Sequence, residues 1–270
     1  MKSAVSFTLG ANVENLTLAA GAGDIDGTGN TLHNVLTGNA GNNALDDGGI
    51  GAADTMIGGA GDDTYVVNNA ADVVSETLAG VAGGVDLVES AVSFILGANV
   101  EKLTLTGADN VNGTGNGLAN TLIGNSGNNT LNGAAGADIL QGGGGDDKFI
   151  FDPLDTQVAG GTGIDTLKFT GGGQHLDLDG KAGTVYTGLE AIDLTGIGNN
   201  SLSLTAQNVI DMSGTTDELT VNGNTGDSIS STGQGWAAAG NQTIGGIVYD
   251  NYTSGDATLH VQHGVTSHLT

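Results

Sequence analysis

The chain has 270 residues, among them 50 Gly, one Pro and no Cys, and 30 acidic residues against five Lys give a formal charge of −25. Gly stands well above its usual share of roughly 7%. Asp far outnumbers Glu, which favours turns, because Asp and Asn bond to their own backbone and Gly supplies positive φ. This balance argues against helical bundles and doubly wound sheets, and the absence of a three-residue glycine period argues against collagen. So negative a surface repels nucleic acid and anionic lipid, so neither is an expected partner. No run approaches the length of a membrane span, and the start MKSAVSFTLG lacks the apolar core of a cleaved signal peptide. Without disulfides, another kind of cross-link must hold a glycine-rich chain together, and cations are the obvious candidate.

In chain order the first element is a repeat. Residues 3–18, SAVSFTLGANVENLTL, return at 90–105 as SAVSFILGANVEKLTL, and residues 27–45 return at 113–131. Each long unit, about 87 residues, runs into a Gly-Asp-rich stretch and an apolar strand, GGAGDDTYVV (58–67) or GGGGDDKFIF (142–151). Within the units lies a period of nine: GNGLANTLI, GNSGNNTLN, GAAGADILQ and GGGGDDKFI fill 115–150, and GGTGIDTLK follows at 160–168. The eighth positions are apolar (Leu36, Leu45, Met56, Tyr65; Leu122, Leu131, Leu140, Phe149), and the sixth are Asn or Asp. A flexible linker would not keep an apolar residue in phase over so many copies.

These nines resemble the G-G-x-G-x-D-x-U-x nonapeptide of the RTX (repeats-in-toxin, hemolysin-type) proteins, a calcium-binding repeat. The full motif stands at 58–66, 142–150 and 160–168, through Gly58, Gly59, Gly61, Gly142, Gly143, Gly145, Gly160, Gly161 and Gly163. The physical reading agrees. Six residues make a turn whose glycines let carbonyls converge, and the next three make a short strand with its middle side chain inward. Two nines form one coil, so each turn lies over the turn two repeats later, and the stacked turns present carboxylates and carbonyls to a shared gap. Calcium takes 6–8 oxygen ligands in flexible geometry, whereas magnesium demands a tighter octahedron. Several Ca²⁺ ions are therefore expected. The expected fold is all-β: a right-handed parallel β-roll (β-solenoid) over residues 1–174, with a β-rich C-terminal segment over 175–270.

The stacking rule nominates the ligands. Asp147 and Asp165, both in full motifs, should flank the best site. Asp138 pairs with Asn120, Asp54 with Asn34, and Asp63 with Asn43, while Asp147 also faces back toward Asn129. An Asn oxygen brings no charge, so those gaps should bind weakly or hold Asn hydrogen-bond ladders. Asp62 and Asp146 look solvent-facing, and Asp72 and Asp86 carry only half-motifs. From residue 175 the pattern LEAIDLTG, NSLSLTA, DELTVNG persists without the Gly-Asp motif, as a solenoid continuing without metal or as a small sandwich on its end. Trp236, Tyr249 and Tyr252 read as core or cap, and His260 and His263 fall on opposite faces of a strand.

No nucleophile elbow, zinc-binding HExxH or phosphate loop is present in the sequence. The reading is a non-enzyme. The segment after residue 184 resembles the C-terminal part of large RTX adhesins and other type I secretion substrates. That resemblance implies a secreted or cell-surface calcium-binding structural or adhesive protein that folds on calcium, with type I secretion machinery as a partner. Two other classes fit the same pattern. One is the calcium-folding tail of a larger secreted lipase or protease. The other is a self-assembling filament or surface-layer subunit, joined through its solenoid ends.

Overall fold

A computed structural model describes residues 1–80 and 82–270 with their side chains, in two units, Met1–Ile139 and Leu140–Thr270. Most of the short x-U-x segments form strands three or four residues long, because Gly-rich turns interrupt the runs of β-formers; Ile139–Gly144, at six residues, is longer. In the first unit, strands Asn15–Leu18, Val35–Thr37, Thr55–Ile57 and Val73–Ser75 pair in parallel in one sheet. Strands Ala44–Asp46, Thr64–Val67, Leu87–Ser90, Lys102–Leu105 and Thr121–Ile123 pair in parallel in another. Successive nines therefore alternate between sheets, so Leu36 lies beside Met56 and Leu45 beside Tyr65. Two nines per coil is the expected arrangement. Where the sequence holds an irregular eleven-residue copy at 47–57, the step lengthens to 20 residues, as between Asn43 and Asp63.

Side-chain burial follows the same phase. Leu36, Leu45, Met56, Tyr65, Leu122 and Leu131 are fully buried, each contributing roughly 1.5–3 kcal/mol of apolar burial. The repeated segments reproduce their details. Ser3 Oγ donates to the Val5 carbonyl at 2.7 Å, and Ser90 Oγ to that of Val92 at 2.8 Å.

The second unit has the same parallel pairing, with the glycine motif at 142–150 and 160–168 and without it from residue 175. Strands Lys148–Ile150, Thr166–Lys168, Ala191–Asp193, Glu218–Asn222 and Ala257–Gln262 lie side by side in parallel. His175–Asp177, Ser201–Ser203, Ser228–Ser231 and Thr266–Leu269 form a second parallel row. Insertions separate these strands in sequence. One is the helix Ala206–Ser213, started by a capping box in which Thr205 and Asn208 each bond the other's backbone N–H. The other is an antiparallel hairpin, Ala237–Ile244 with Ile247–Ser254, added at the sheet edge. Phe151 and Phe169 stack with ring centroids 4.3 Å apart. Trp236 and Tyr249 are buried, and the Trp236 indole donates to Ser231 Oγ at 2.7 Å. Nearly all-β, with parallel sheets in both units, the architecture is that of a β-roll built from short repeats.

Candidate functional site

The sixth position of each repeat lies just before its strand, so its side chain lies between its own turn and the adjacent coil's. Every one is buried: Asn34, Asn43, Asp54, Asp63, Asn120, Asn129, Asp138, Asp147 and Asp165 are all at most 2% exposed. They form a ladder. The backbone N–H of Asn34 donates to Asp54 Oδ1 at 2.6 Å, that of Asn43 to Asp63 Oδ1 at 2.7 Å, and that of Asn120 to Asp138 Oδ1 at 2.7 Å. Asp147 donates likewise to Asp165 Oδ1 at 2.8 Å. The sequence pairs are thus neighbours, joined by one carboxylate oxygen of the later residue. Asp72 and Asp86, half-motifs in the sequence, continue the ladder by accepting from Asp54 and Asp63, both at 2.8 Å.

The second oxygen separates the Asp positions. Oδ2 of Asp63, Asp86 and Asp165 is buried with no hydrogen-bond partner, whereas both oxygens of Asp72 are used, the second by the Asn69 N–H at 3.2 Å. The first glycine of the full motif makes room at this oxygen. An added Cβ would overlap Asp63 Oδ2 and the Tyr65 hydroxyl at Gly58, Asp147 Oδ2 at Gly142, and Asp165 Oδ2 at Gly160. The next two motif glycines hold positive φ, 114° and 104° at Gly59 and Gly61, a conformation other residues adopt only with strain.

Asn positions close differently. Oδ1 of Asn34, Asn43, Asn120 and Asn129 accepts the N–H of the residue four earlier, at 2.6–2.8 Å. Nδ2 donates to a carbonyl of the preceding coil: Val13 at 3.2 Å, Ile25 at 2.7 Å, Val100 at 3.1 Å and Val111 at 2.7 Å respectively. These amides build the hydrogen-bond ladder, with a donor of their own pointing toward the preceding coil.

Burial dominates the electrostatics. It pushes the Asp63 and Asp165 carboxyls up to about 7, and the neighbouring charges of Asp86 and Asp62, or of Asp147, Glu190 and Asp146, add to it. Asp86 rises to about 6 for the same reason, with Glu101 contributing, and Asp54 is raised as well. Each ladder N–H opposes the shift without cancelling it. The donors are all oxygens, several are buried anionic atoms without a hydrogen, and they stand beside turns lacking a Cβ. That set fits a hard, flexible-geometry cation, and calcium before magnesium.

Three glutamates complete the picture. The N–H of Asp86 donates to Glu101 Oε2 and that of Asp165 to Glu190 Oε2, both at 2.9 Å, so each Glu takes the rung an Asp would occupy. Glu101 and Glu190 stand two residues before buried Leu103 and Ile192, as a motif Asp stands before its apolar residue, so the phase signals them although the flanking glycines are missing. Glu76 follows no such phase. Asp62 and Asp146 are exposed as expected, yet each accepts an N–H from the next coil, Val85 or Ile164, at 2.8 Å. His260 and His263 go to separate partners, Asn251 and Asp250.

Among the described residues no helix is long and apolar enough to cross a membrane. No match to a curated protein was found. A family model does match, at residues 28–65, 51–74 and 114–149: the RTX calcium-binding nonapeptide repeat, in four copies. The ladder, the glycine cradles and this match agree: over these segments the chain carries RTX nonapeptide repeats of the calcium-binding type.

Proposed function

We propose that this protein is a secreted, non-enzymatic structural or adhesive element that folds when it binds calcium, after export by type I secretion machinery. The observation that carries this reading is the set of buried carboxylate oxygens, at Asp63, Asp86 and Asp165, that no hydrogen bond satisfies. An uncompensated buried anion is costly, and here several lie near one another in a chain of charge −25. Each Ca²⁺ cancels two charges and ties adjacent coils, so its binding free energy becomes folding free energy. Ordering so many glycines costs roughly 1–2 kcal/mol of backbone entropy per residue, which the thin apolar ladder offsets only in part. In a low-calcium cytosol the chain would stay open and exportable, and outside the cell it would close.

Circular dichroism through a calcium titration, after chelation, tests this. Strand signal should grow with calcium, and the double variant Asp147→Ala/Asp165→Ala should need more of it. Strand signal complete in excess chelator would overturn the reading.

A further inference from the structure

Beside the nonapeptide turn of Asp63 lies a cluster that residues outside the repeats complete. Asp63, Glu76 and Asp86 are buried, and one carboxylate oxygen from each lies within 4.8 Å of the others. Only Asp63 belongs to a full repeat. Glu76 follows the strand Val73–Ser75, and both Glu76 and Asp86 fall outside the segments matched by the repeat family.

Each carboxylate uses one oxygen structurally. Asp63 Oδ1 accepts the Asn43 N–H, Asp86 Oδ1 accepts the Asp63 N–H, and Glu76 Oε1 accepts the Tyr65 hydroxyl. The other three oxygens, Asp63 Oδ2, Glu76 Oε2 and Asp86 Oδ2, are buried without a hydrogen-bond partner. Among the described residues, no Lys or His forms an ion pair with any of the three. The further charges beside them, Asp62 and Glu101, are also negative. Three converging anions with every second oxygen unspent call for a positive charge that the chain does not supply.

We propose that Asp63, Glu76 and Asp86 form a divalent-cation site, suited to calcium, in which Glu76 contributes a ligand from outside the nonapeptide repeat. The donor set is carboxylate only, with no imidazole or thiolate, which selects a hard cation over zinc or copper. Tyr65 orients Glu76 from behind, as outer-shell hydroxyls do for metal-bound carboxylates. The alternative occupant is the proton, since burial and mutual repulsion push Glu76 up to about 8.

The site draws on the calcium-binding reading for the identity of its ion, and terbium(III) separates the two. Tyr65 touches the cluster, so Tb³⁺ bound there should glow when tyrosine is excited. The full chain, titrated with Tb³⁺ in mildly alkaline buffer, should lose at least about half of its tyrosine-sensitised emission in Tyr65→Phe, which keeps every carboxylate. Equilibrium dialysis should find one fewer calcium ion per chain in Glu76→Gln, while Asp165→Asn leaves the Tyr65-dependent emission in place. Equal emission from Tyr65→Phe and parent, with unchanged calcium stoichiometry in Glu76→Gln, would overturn the site. Failure of the chain to bind calcium or Tb³⁺ at all would instead overturn the wider reading along with it.

Discussion

The turns around Asn43 and Asp63 are stacked neighbours with the same backbone task and opposite solutions. Both side chains are buried, and both use an oxygen to hold a main-chain N–H. Asn43 then donates its amide hydrogen to the Ile25 carbonyl at 2.7 Å, and the turn is closed. Asp63 has no hydrogen to give, and its Oδ2 is left facing Gly58 and Tyr65. Replacing one NH₂ by O⁻ therefore changes a self-contained turn into one that requires an external positive charge. At Asp72 the exchange leaves no such demand, because the Asn69 N–H takes the second oxygen.

The comparison breaks most completely where the space beside the oxygen is filled. Gly160→Ala should cost about 3 kcal/mol or more in denaturant unfolding, because the new Cβ overlaps Asp165 Oδ2 and the Gly188 carbonyl. Gly10→Ala, with nothing within 4 Å, serves as the neutral control.

Exchanging the two rung types sharpens it. Asn43→Asp should lose about 2 kcal/mol in chelator, since the Ile25 carbonyl loses its donor, and added calcium should restore part of it. Asp165→Asn should do the reverse, narrowing the gap between chelated and calcium-loaded stability.

Acidity supplies a third handle. Burial raises Asp63 and Asp165 from 3.8 to about 7 and Glu76 from 4.5 to about 8. The metal-free fold thus holds more protons than the open chain, and its stability should fall as pH rises from about 4 to about 8. Saturating calcium, which needs the carboxylates ionised, should flatten or invert that slope. A chelated protein whose melting temperature rises across this window would contradict the assignment. The smallest effect is expected at Asp62→Ala, which removes one exposed hydrogen bond to Val85 and should cost about 0.5–1 kcal/mol.

Much of this was legible in the sequence, and the reasons are physical. The core positions Leu36, Leu45, Leu122 and Leu131 follow from a nine-residue phase because each strand is too short to bury more than one or two residues. The stacking of Asn34 on Asp54 and Asp147 on Asp165 follows from two nines per coil. The rungs at Glu101 and Glu190 lack the motif's glycines and so carry no nonapeptide signature, because a rung needs only an oxygen two residues before a buried strand residue. Glu76 carries no periodic signal at all, since it reaches the cluster from beyond a strand end. In the second unit Ile192 lies beside Val221, and Val221 beside Val261, because a helix and a hairpin are looped out between paired strands. No fixed period survives insertions of that length.

The ladder also has a polarity. At every rung the earlier residue donates its N–H and the later one accepts it: Asp54 to Asp72, Asp63 to Asp86, Asp86 to Glu101, Asp165 to Glu190. Each turn is therefore finished by the coil that follows it in the chain. Cutting away a following coil strands the rung N–H, whereas cutting away a preceding one strands the Asn43 amide and the strand N–H groups, such as that of Thr64, that bond back to it. The two ends of such a stack therefore expose different donors, rung N–H groups at one and Asn amides with strand N–H groups at the other.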